Sequence, residues 1–342
     1  MPDVASTALI VFGEALLDEF PNQKVVGGAP FNVARATAVL GCAPLMITRI
    51  GNDANALLVR HEMQRFGLDQ IGVQTDTAHP TGVVKVHVGT GEHRFEIMPD
   101  QAYDHIECAP AVLALNHFLE RQQGPQSPTL VYYGTLAQRH NLSHETLIKL
   151  LSAGRSTNYL DLNLREGQFT FNEIFASLFH ADILKVNEDE LQLLIRKYRP
   201  EAVQLNCDLT GQQAVDDFFE ALQHLQLLFK LSAIIVTLGA QGYMYMNDQG
   251  VRLNGWQSET QQPQKPMQVT DTVGCGDAFS SVFLAGLIHA WPLDVTLQRA
   301  HAFAGSVCTI RGAVSADMGF YRDWQLRWGL QEYAEVPTGL QQ

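Results

Sequence analysis

The sequence has little of what membrane-bound, disordered and nucleic-acid-binding proteins need. Only 17% of its 342 residues are charged, and its 23 basic residues are outnumbered by 36 acidic ones. The resulting net charge of −13 argues against binding to nucleic acid or to an anionic membrane, since both require a basic surface. No run of about 18 uninterrupted apolar residues occurs, so we expect no membrane-spanning helix. With 46% hydrophobic residues, the chain can bury a large core, which excludes intrinsic disorder.

Cysteine is also scarce. The five cysteines are widely scattered and show neither zinc-ligand spacing nor the density of a disulfide framework. Residues 1–9 lack the basic start and apolar run of a secretory signal. We therefore predict a cytoplasmic protein whose five thiols are all reduced. These are Cys42, Cys108, Cys207, Cys275 and Cys308.

Short apolar runs that alternate with helical patterns predict an α/β fold. The strand-like runs cover residues 8–12, 43–50, 129–133, 159–162, 183–186 and 233–238. Helical patterns cover residues 31–40, 54–66, 278–290 and 296–309, whereas the tail after Gly319 has no evident pattern. Apolar strands separated by helices are typical of a doubly wound, mainly parallel sheet that is covered by helices on both faces.

One segment breaks this alternation. Residues 83–88 and 93–98 form two strand-like runs around Gly89-Thr90-Gly91, which predicts a β-hairpin. We expect a small β lid from residues 14–26 and 81–103, over a core of residues 1–13, 27–80 and 104–342. An edge strand of such a lid is suited to pairing between subunits, which favours a homodimer through the lid.

The segment Asp271-Thr272-Val273-Gly274-Cys275-Gly276-Asp277 leads directly into a helical pattern. A glycine-rich turn at a helix N-terminus presents unpaired backbone N–H groups, and these favour an anion such as phosphate. The first-turn carboxylate of Asp277 is then either a helix-stabilising charge or a general base that takes a hydroxyl proton during phosphoryl transfer.

This segment resembles the C-terminal signature of the PfkB (ribokinase-like) family of sugar kinases. Gly27-Gly28-Ala29-Pro30-Phe31-Asn32-Val33-Ala34 is similar to the N-terminal signature of that family, and the resemblance extends from about residue 8 to residue 319. It implies a ribokinase-like fold, ATP and Mg²⁺ as cofactors, and a small sugar as the other substrate. It also implies that Asp277 is the catalytic base and that the amides of Gly274, Cys275 and Gly276 stabilise the transferring charge.

The resemblance assigns further residues to the two substrates. Asp18, Gly28 and Asn32 match sugar-binding positions, and Arg165, in the segment Asp161-Leu162-Asn163-Leu164-Arg165, would neutralise phosphoryl charge or reach the sugar. Asn187 and Glu190 match positions that orient hydrated Mg²⁺, which prefers oxygen ligands, and Asp271 matches a position that holds K⁺ in several relatives. The nucleotide positions are Asn187, Thr237, Gly239, Gly242, Gly274 and Gly276, with Arg311-Gly312-Ala313 near the adenine.

The sugar itself is less clearly specified. The Gly-Gly-Ala-Pro segment and residues 161–165 favour fructose as substrate and fructose 6-phosphate as product, although residues 95–100 lack the aromatic–Arg pairing of many fructokinases. A 2-keto-3-deoxygluconate kinase and a ribose or nucleoside kinase are the alternatives. A catalytically silent sugar or nucleotide sensor is disfavoured because Asp277 is retained. Neither a P-loop motif nor Gly-x-Gly-x-x-Gly after the first strand is present.

Two residue types call for separate expectations. Cys275 stands where the family usually has alanine, so we expect it to act through its backbone N–H alone.

The twelve histidines show no His-x-x-x-His or similar spacing, and we interpret His93, His105 and His301 as structural residues.

Overall fold

A computed structural model describes residues 7–88, 93–122, 128–152, 156–199, 209, 212–255 and 270–330. Its strands, in chain order, are β1 (Ala8–Phe12), β2 (Leu16–Phe20), β3 (Gln23–Gly27), β4 (Leu45–Gly51), β5 (Val73–Asp76), β6 (Gly82–Val88), β7 (His93–Ile97), β8 (Thr129–Tyr133), β9 (Ser156–Asp161), β10 (Ile183–Asn187), β11 (Ala233–Thr237), β12 (Tyr243–Asn247) and β13 (Arg252–Asn254).

The helices follow the same order. They are α1 (Ala29–Val39), α2 (Ala54–Arg65), α3 (Cys108–Gln122), α4 (Asn141–Ser152), α5 (Phe171–Phe179), α6 (Glu188–Tyr198), α7 (Gln212–Phe229), α8 (Cys275–Ile288), α9 (Leu293–Val307) and α10 (Met318–Trp328). Short 3-10 turns cover Ala102–His105, Leu136–Gln138 and Gly239–Gln241.

Nine strands form a central sheet in the order β13-β12-β11-β10-β9-β8-β1-β4-β5. All neighbouring pairs from β11 to β5 are parallel, whereas β12 pairs antiparallel with both β11 and β13. The predicted doubly wound, mainly parallel fold is confirmed. Every residue of β1 is buried, and its side chains alternate between the two apolar clusters that cover opposite faces of the sheet. Burial on both faces is the reason that these strands read as continuous apolar runs.

A second sheet has four strands in the order β3-β2-β6-β7. The hairpins β2–β3 and β6–β7 are antiparallel, and β2 and β6 join them in parallel. Strands β2, β6 and β7 lie within the two segments from which we predict a lid, and β3 extends one residue beyond the first of them, to Gly27. The turn of the predicted hairpin, residues 89–92, lies outside the described residues. The outer strands β3 and β7 are the edges on which the predicted homodimer would depend.

The structure departs from the sequence-based expectations in three places. Helix α8 begins at Cys275, helix α9 begins at Leu293, and residues beyond Met318 form α10, which packs Tyr321 into the core. In the described part of the chain, no helix is both long and apolar enough to cross a lipid bilayer.

The prediction of five reduced thiols is wrong for Cys275 and Cys308, which form a disulfide with a Cα–Cα distance of 6.1 Å. The start of α8 and the end of α9 meet in space, and a separation of 33 residues along the chain does not reveal that contact. Cys42 and Cys108 are free, and Cys207 lies outside the described residues.

Candidate active site

Polar residues gather at one edge of the central sheet, and the predicted site residues Asn187 and Thr237 are among them. Glu14 follows β1, whereas Asp161, Asn187 and Thr237 are the last residues of β9, β10 and β11. Parallel strands bring their carboxyl ends to the same edge, and open α/β sheets bind ligands in the crevice beyond it. The N-terminus of α8 reaches the same edge, because Gly276 lies against Lys185 of β10.

The start of α8 requires glycine at position 274. Gly274 is the N-cap residue and has φ of +81°, and an added Cβ would lie 2.2 Å from the Cβ of Ala313. No side chain caps this helix, so amides of its first turn remain available to an external acceptor. The Cys275 amide donates a long hydrogen bond, 3.3 Å, to Thr272 O. The N–H groups of Gly276 and Asp277 follow in the same turn, a geometry that is suited to binding an anion.

Asp277 is buried in the first turn of α8, with 7% of its surface exposed. Asn32 Nδ2 donates a 2.8 Å hydrogen bond to Asp277 Oδ2, and Arg35 Nη2 donates one of 2.7 Å to Asn32 Oδ1. Burial raises the pKa of Asp277, and the hydrogen bond from Asn32 only partly offsets this. A carboxylate that is held in place and has a raised pKa is suited to accept a proton.

A buried ion pair lies beneath this turn. Lys185 Nζ is 3.0 Å from both carboxylate oxygens of Asp161, and Ser280 Oγ donates to Asp161 Oδ2 at 2.8 Å. Burial acts to lower the pKa of Lys185, but the charges of Asp161 and Glu190 outweigh it and the pKa is raised. Lys185 therefore remains a cation. It lies beside the first turn of α8, because a Cβ added at Gly276 would lie 2.8 Å from its Nζ.

Two further carboxylates lie on the side of the second sheet. Burial raises the pKa of Glu14 from 4.5 to about 7 and that of Asp18 from 3.8 to about 6. In both cases the charge of Arg165 opposes the rise and the charge of Asp277 adds to it. These residues, which come from three distant parts of the chain, are therefore within electrostatic reach of one another.

Gly28, the N-cap residue of α1, has φ of +101°, and an added Cβ would lie 2.6 Å from Glu14 O. Only glycine fits this close approach of two backbones. It places the start of α1, and with it Asn32, next to the end of β1. The structure thus brings Asp18, Gly28 and Asn32, which we predict to bind the sugar, to one place with Asp277.

Asn187 and Glu190 form the capping box of α6. Asn187 Oδ1 accepts from Glu190 N at 2.9 Å, and Glu190 Oε2 accepts from Asn187 N at the same distance. Glu190 Oε1 accepts from Leu164 N at 2.8 Å. Burial raises the pKa of Glu190 and Lys185 lowers it, with a net rise. Each oxygen of the box thus has one backbone partner and keeps a second acceptor position.

The predicted nucleotide positions lie next to Asn187, because Thr237 is its register partner on β11. Gly239 and Gly242 follow in a 3-10 turn, and a Cβ added at Gly239 would meet no atom within 4 Å. Asp271 stabilises the turn before α8, because its carboxylate accepts hydrogen bonds from Val273 N at 3.0 Å and from Gly312 N at 3.1 Å. The predicted adenine loop, residues 311–313, is thereby tied to the turn that contains Gly274.

Lys185, Asp161 and Glu14 are functional candidates that we did not single out from the sequence. A lysine inside the apolar run of residues 183–186 is a usable signal, since an unpaired buried lysine is rarely tolerated. Glu14 directly after a buried strand gives a similar signal. Of the histidines interpreted as structural, His301 packs against Tyr243, whereas the side chain of His93 lies outside the described residues.

Comparisons with known proteins agree with this geometry. The family model for pfkB family carbohydrate kinases matches residues 4–318. The chain is 26% identical over 328 residues to a fructokinase of Klebsiella pneumoniae, covering 90% of this chain and 94% of that protein. It is 27% identical over 343 residues to a probable fructokinase-5 of Arabidopsis thaliana, covering 92% and 95%.

Among solved structures, the fructokinase of Xylella fastidiosa with bound ATP is similar to this chain with a TM-score of 0.73. The match covers 95% of this chain and all of that one, at 21% identity. At this identity the likeness shows the ribokinase-like fold alone.

Proposed function

Because the chain belongs to the pfkB family of carbohydrate kinases and is therefore a sugar kinase, we propose that it phosphorylates fructose. It would transfer the γ-phosphoryl group of ATP to a primary hydroxyl and form fructose 6-phosphate and ADP. Two named relatives, both called fructokinases, support this choice of sugar. The observation that carries the proposal is the buried Asp277 carboxylate, which Asn32 holds beside the uncapped N-terminus of α8.

In the proposed reaction, the hydroxyl oxygen of the sugar attacks the γ-phosphorus and the bond to the oxygen bridging the β- and γ-phosphorus breaks. Asp277 accepts the hydroxyl proton, and ADP leaves with the electron pair of the broken bond. Asn32 holds one carboxylate oxygen of Asp277, so the other is free to face the hydroxyl. Asp18, Gly28 and Asn32 would bind the sugar.

The transferring group carries negative charge that the site must stabilise. The amides of Gly274, Cys275 and Gly276 would do so, and the nearby Lys185 cation adds a fixed positive charge. Arg165, which is exposed and lies within electrostatic reach of Glu14, Asp18 and Asp277, would neutralise further charge. These groups are in place before the substrates arrive, which avoids reorganisation during the reaction.

The nucleotide and its metal fit the residues at the ends of β10 and β11. The acceptor oxygens of Asn187 and Glu190 each retain a free position, which suits Mg²⁺ held through water. When bound, Mg²⁺ would neutralise charge on the phosphates. The open space beside Gly239 would admit the nucleotide together with Thr237 and Gly242, and Asp271 would face K⁺ if a monovalent ion is used.

The four-stranded sheet would act as the lid over this site. It contributes Asp18 from β2, and its edge strands remain the expected surface of a homodimer. Closure over the sugar would exclude water and so limit the hydrolysis of ATP.

An ADP-release assay with Mg²⁺-ATP tests the proposal against fructose, 2-keto-3-deoxygluconate, ribose, adenosine and no sugar. We expect fructose to give the highest kcat/KM. Higher turnover with another member of the panel would contradict fructose but retain phosphoryl transfer. No stimulation by any of them, with ATP binding intact, would favour the sensor. Assays with and without K⁺ would decide the role of Asp271.

A further inference from the structure

Three side chains that the kinase reaction does not use converge at the base of the lid. His79 lies in the loop before β6, Asp100 follows β7, and His105 ends the 3-10 turn that connects the lid to the core. One ligand atom from each of the three lies within 4.8 Å of the other two. The cluster therefore joins both ends of the β6–β7 hairpin to the core.

The nitrogen atoms of His79 have distinct roles. Its Nδ1 lies 3.0 Å from Asp76 Oδ2. The Asp76 carboxylate is only 1% exposed and forms an ion pair with Arg49, whose Nε lies 2.8 Å from Asp76 Oδ2. Its other oxygen, Oδ1, accepts hydrogen bonds from Ala78 N at 2.7 Å and His79 N at 3.0 Å, so the group serves as an acceptor. Nδ1 of His79 must therefore carry the proton, which leaves Nε2 as the atom with a lone pair.

A carboxylate that fixes the tautomer of a histidine in this way is a recurrent partner of metal-ligating imidazoles. Nε2 of His79 faces Asp100 Oδ1 at 3.7 Å, and Nε2 of His105 lies 2.8 Å from the same oxygen. We propose that His79 Nε2, His105 Nε2 and Asp100 bind one Zn²⁺ ion at the base of the lid. Two imidazoles and one carboxylate form a common zinc donor set, with water as the fourth ligand.

The surrounding charges permit a cation. Arg49 is paired with Asp76 and Glu107, and Arg139 is paired with Asp104. His140, whose ring centroid lies 4.3 Å from that of His105, accepts at Nδ1 from Leu142 N. That contact occupies Nδ1 of His140, and His140 is not one of the three side chains whose ligand atoms converge. In the described part of the chain, Asp100 has no arginine or lysine partner, and its carboxylate faces the two imidazoles.

One local rearrangement accompanies binding. The rings of His79 and His105 are stacked, with centroids 3.6 Å apart and planes 13° apart. A metal lies near the plane of each imidazole that binds it, so one ring must turn out of the stack. Asp100 can follow this change because its side chain is 69% exposed.

The test measures Zn²⁺ binding to the full chain after treatment with EDTA, in the absence of nucleotide and sugar, by competition with a chromophoric chelator. We expect one Zn²⁺ per chain with micromolar or tighter affinity. His79→Ala, His105→Ala and Asp100→Asn should each weaken binding at least about tenfold. His87→Ala is the matched control, because exposed His87 contacts the Glu96 carboxylate at 2.8 Å on the same hairpin. Its affinity should equal that of the wild type.

Asp100→Asn decides the case if the histidine variants do not fold. Asp100 has φ of +54°, a conformation that asparagine also accepts, and its side chain is exposed. Co²⁺ provides a second readout, with visible bands of a nitrogen and oxygen site and no thiolate charge-transfer band. Binding weaker than micromolar, equal affinity of Asp100→Asn and wild type, or a thiolate band would each overturn the proposal.

Discussion

Glu14, Asp18 and Asp277 are carboxyl groups whose pKa burial raises, and the three lie within reach of Arg165. Each group costs folding free energy when it ionises, and each is positioned to exchange protons nearer to neutral pH than an exposed carboxyl group. At the residue scale, the site is therefore a cluster of carboxyl groups whose ionised forms are disfavoured. The resulting decrease in the free energy of unfolding should be measurable.

Glu14→Gln should stabilise the fold above pH 7 and have little effect below pH 4.5. The pKa of Glu14 is raised from 4.5 in the unfolded chain to about 7 in the folded one. The folded protein therefore loses stability as pH rises through this window, and glutamine, which cannot ionise, avoids the loss. The gain at the upper end is of the order of 3 kcal/mol. Urea unfolding of both proteins at the two ends of the window measures it.

Other titrating groups are common to both proteins, so the difference between their free energies of unfolding isolates Glu14. A difference that stays constant with pH would show that Glu14 ionises normally in the folded state.

The sequence predicts candidate site residues but not how they contact one another. Asn32 and Asp277 are 245 residues apart, and their hydrogen bond depends on the packing of α1 against α8. A lysine within an apolar strand indicates a buried cation, but the sequence does not show which carboxylate pairs with Lys185. Its partner is Asp161, the last residue of β9, which is 24 residues away in the chain.

At the scale of elements, the start of α8 combines a glycine-rich turn, a close contact with Ala313 and a disulfide. The sequence predicts its position to within about three residues because a glycine-rich turn precedes a strong helical pattern. Two features of the turn could not be predicted, because they come from other elements: the contact of Gly274 with Ala313 and the bond between Cys275 and Cys308. Helix α10 was missed because the sequence after Gly319 shows no clear period.

Cys275→Ala should keep kcat within a few-fold of the wild type, because only the backbone of Cys275 belongs to the proposed anion site. Cys308→Ala is the matched control, since it removes the same disulfide and leaves α8 intact. Steady-state kinetics of both variants should agree. Loss of activity in folded Cys275→Ala but not in Cys308→Ala would show that the Cys275 side chain takes part.

Gly274→Ala should lower kcat/KM for ATP by about a hundredfold, the scale of a misplaced catalytic turn. The added Cβ would lie 2.2 Å from Ala313 Cβ, so the first turn of α8 must move. Gly329→Ala is the control: it has φ of +67°, with no atom within 4 Å of the new Cβ. It should cost about 1 kcal/mol of stability and leave the kinetics unchanged.

Equal kinetics in the two glycine variants would contradict the role given to the α8 turn. A large loss of stability in Gly274→Ala alone would be separated from a catalytic effect by thermal unfolding of both proteins.

At the scale of the whole molecule, the fold assembles the site from segments that are far apart in the chain. The loop after β1 and strand β2 bring Glu14 and Asp18, α1 brings Asn32, the segment after β9 brings Arg165, β10 brings Lys185, and α8 brings Asp277. The parallel arrangement was predictable, since strands buried on both faces have a clear sequence pattern. Packing between distant segments determines the order of the strands and the contact of the two sheets. Local sequence patterns do not predict such packing.

In the proposed reaction, the central role belongs to Asp277, which takes the proton of the sugar hydroxyl. The most direct test is kcat of Asp277→Asn with Mg²⁺-ATP and the best sugar of the panel, together with the binding of each substrate. We predict a loss of at least about a hundredfold in kcat with sugar affinity nearly intact. Asp317→Asn makes the same change at the N-cap of α10, where asparagine caps equally well, and should leave kcat unaltered. Turnover of folded Asp277→Asn near the wild-type rate would contradict the account.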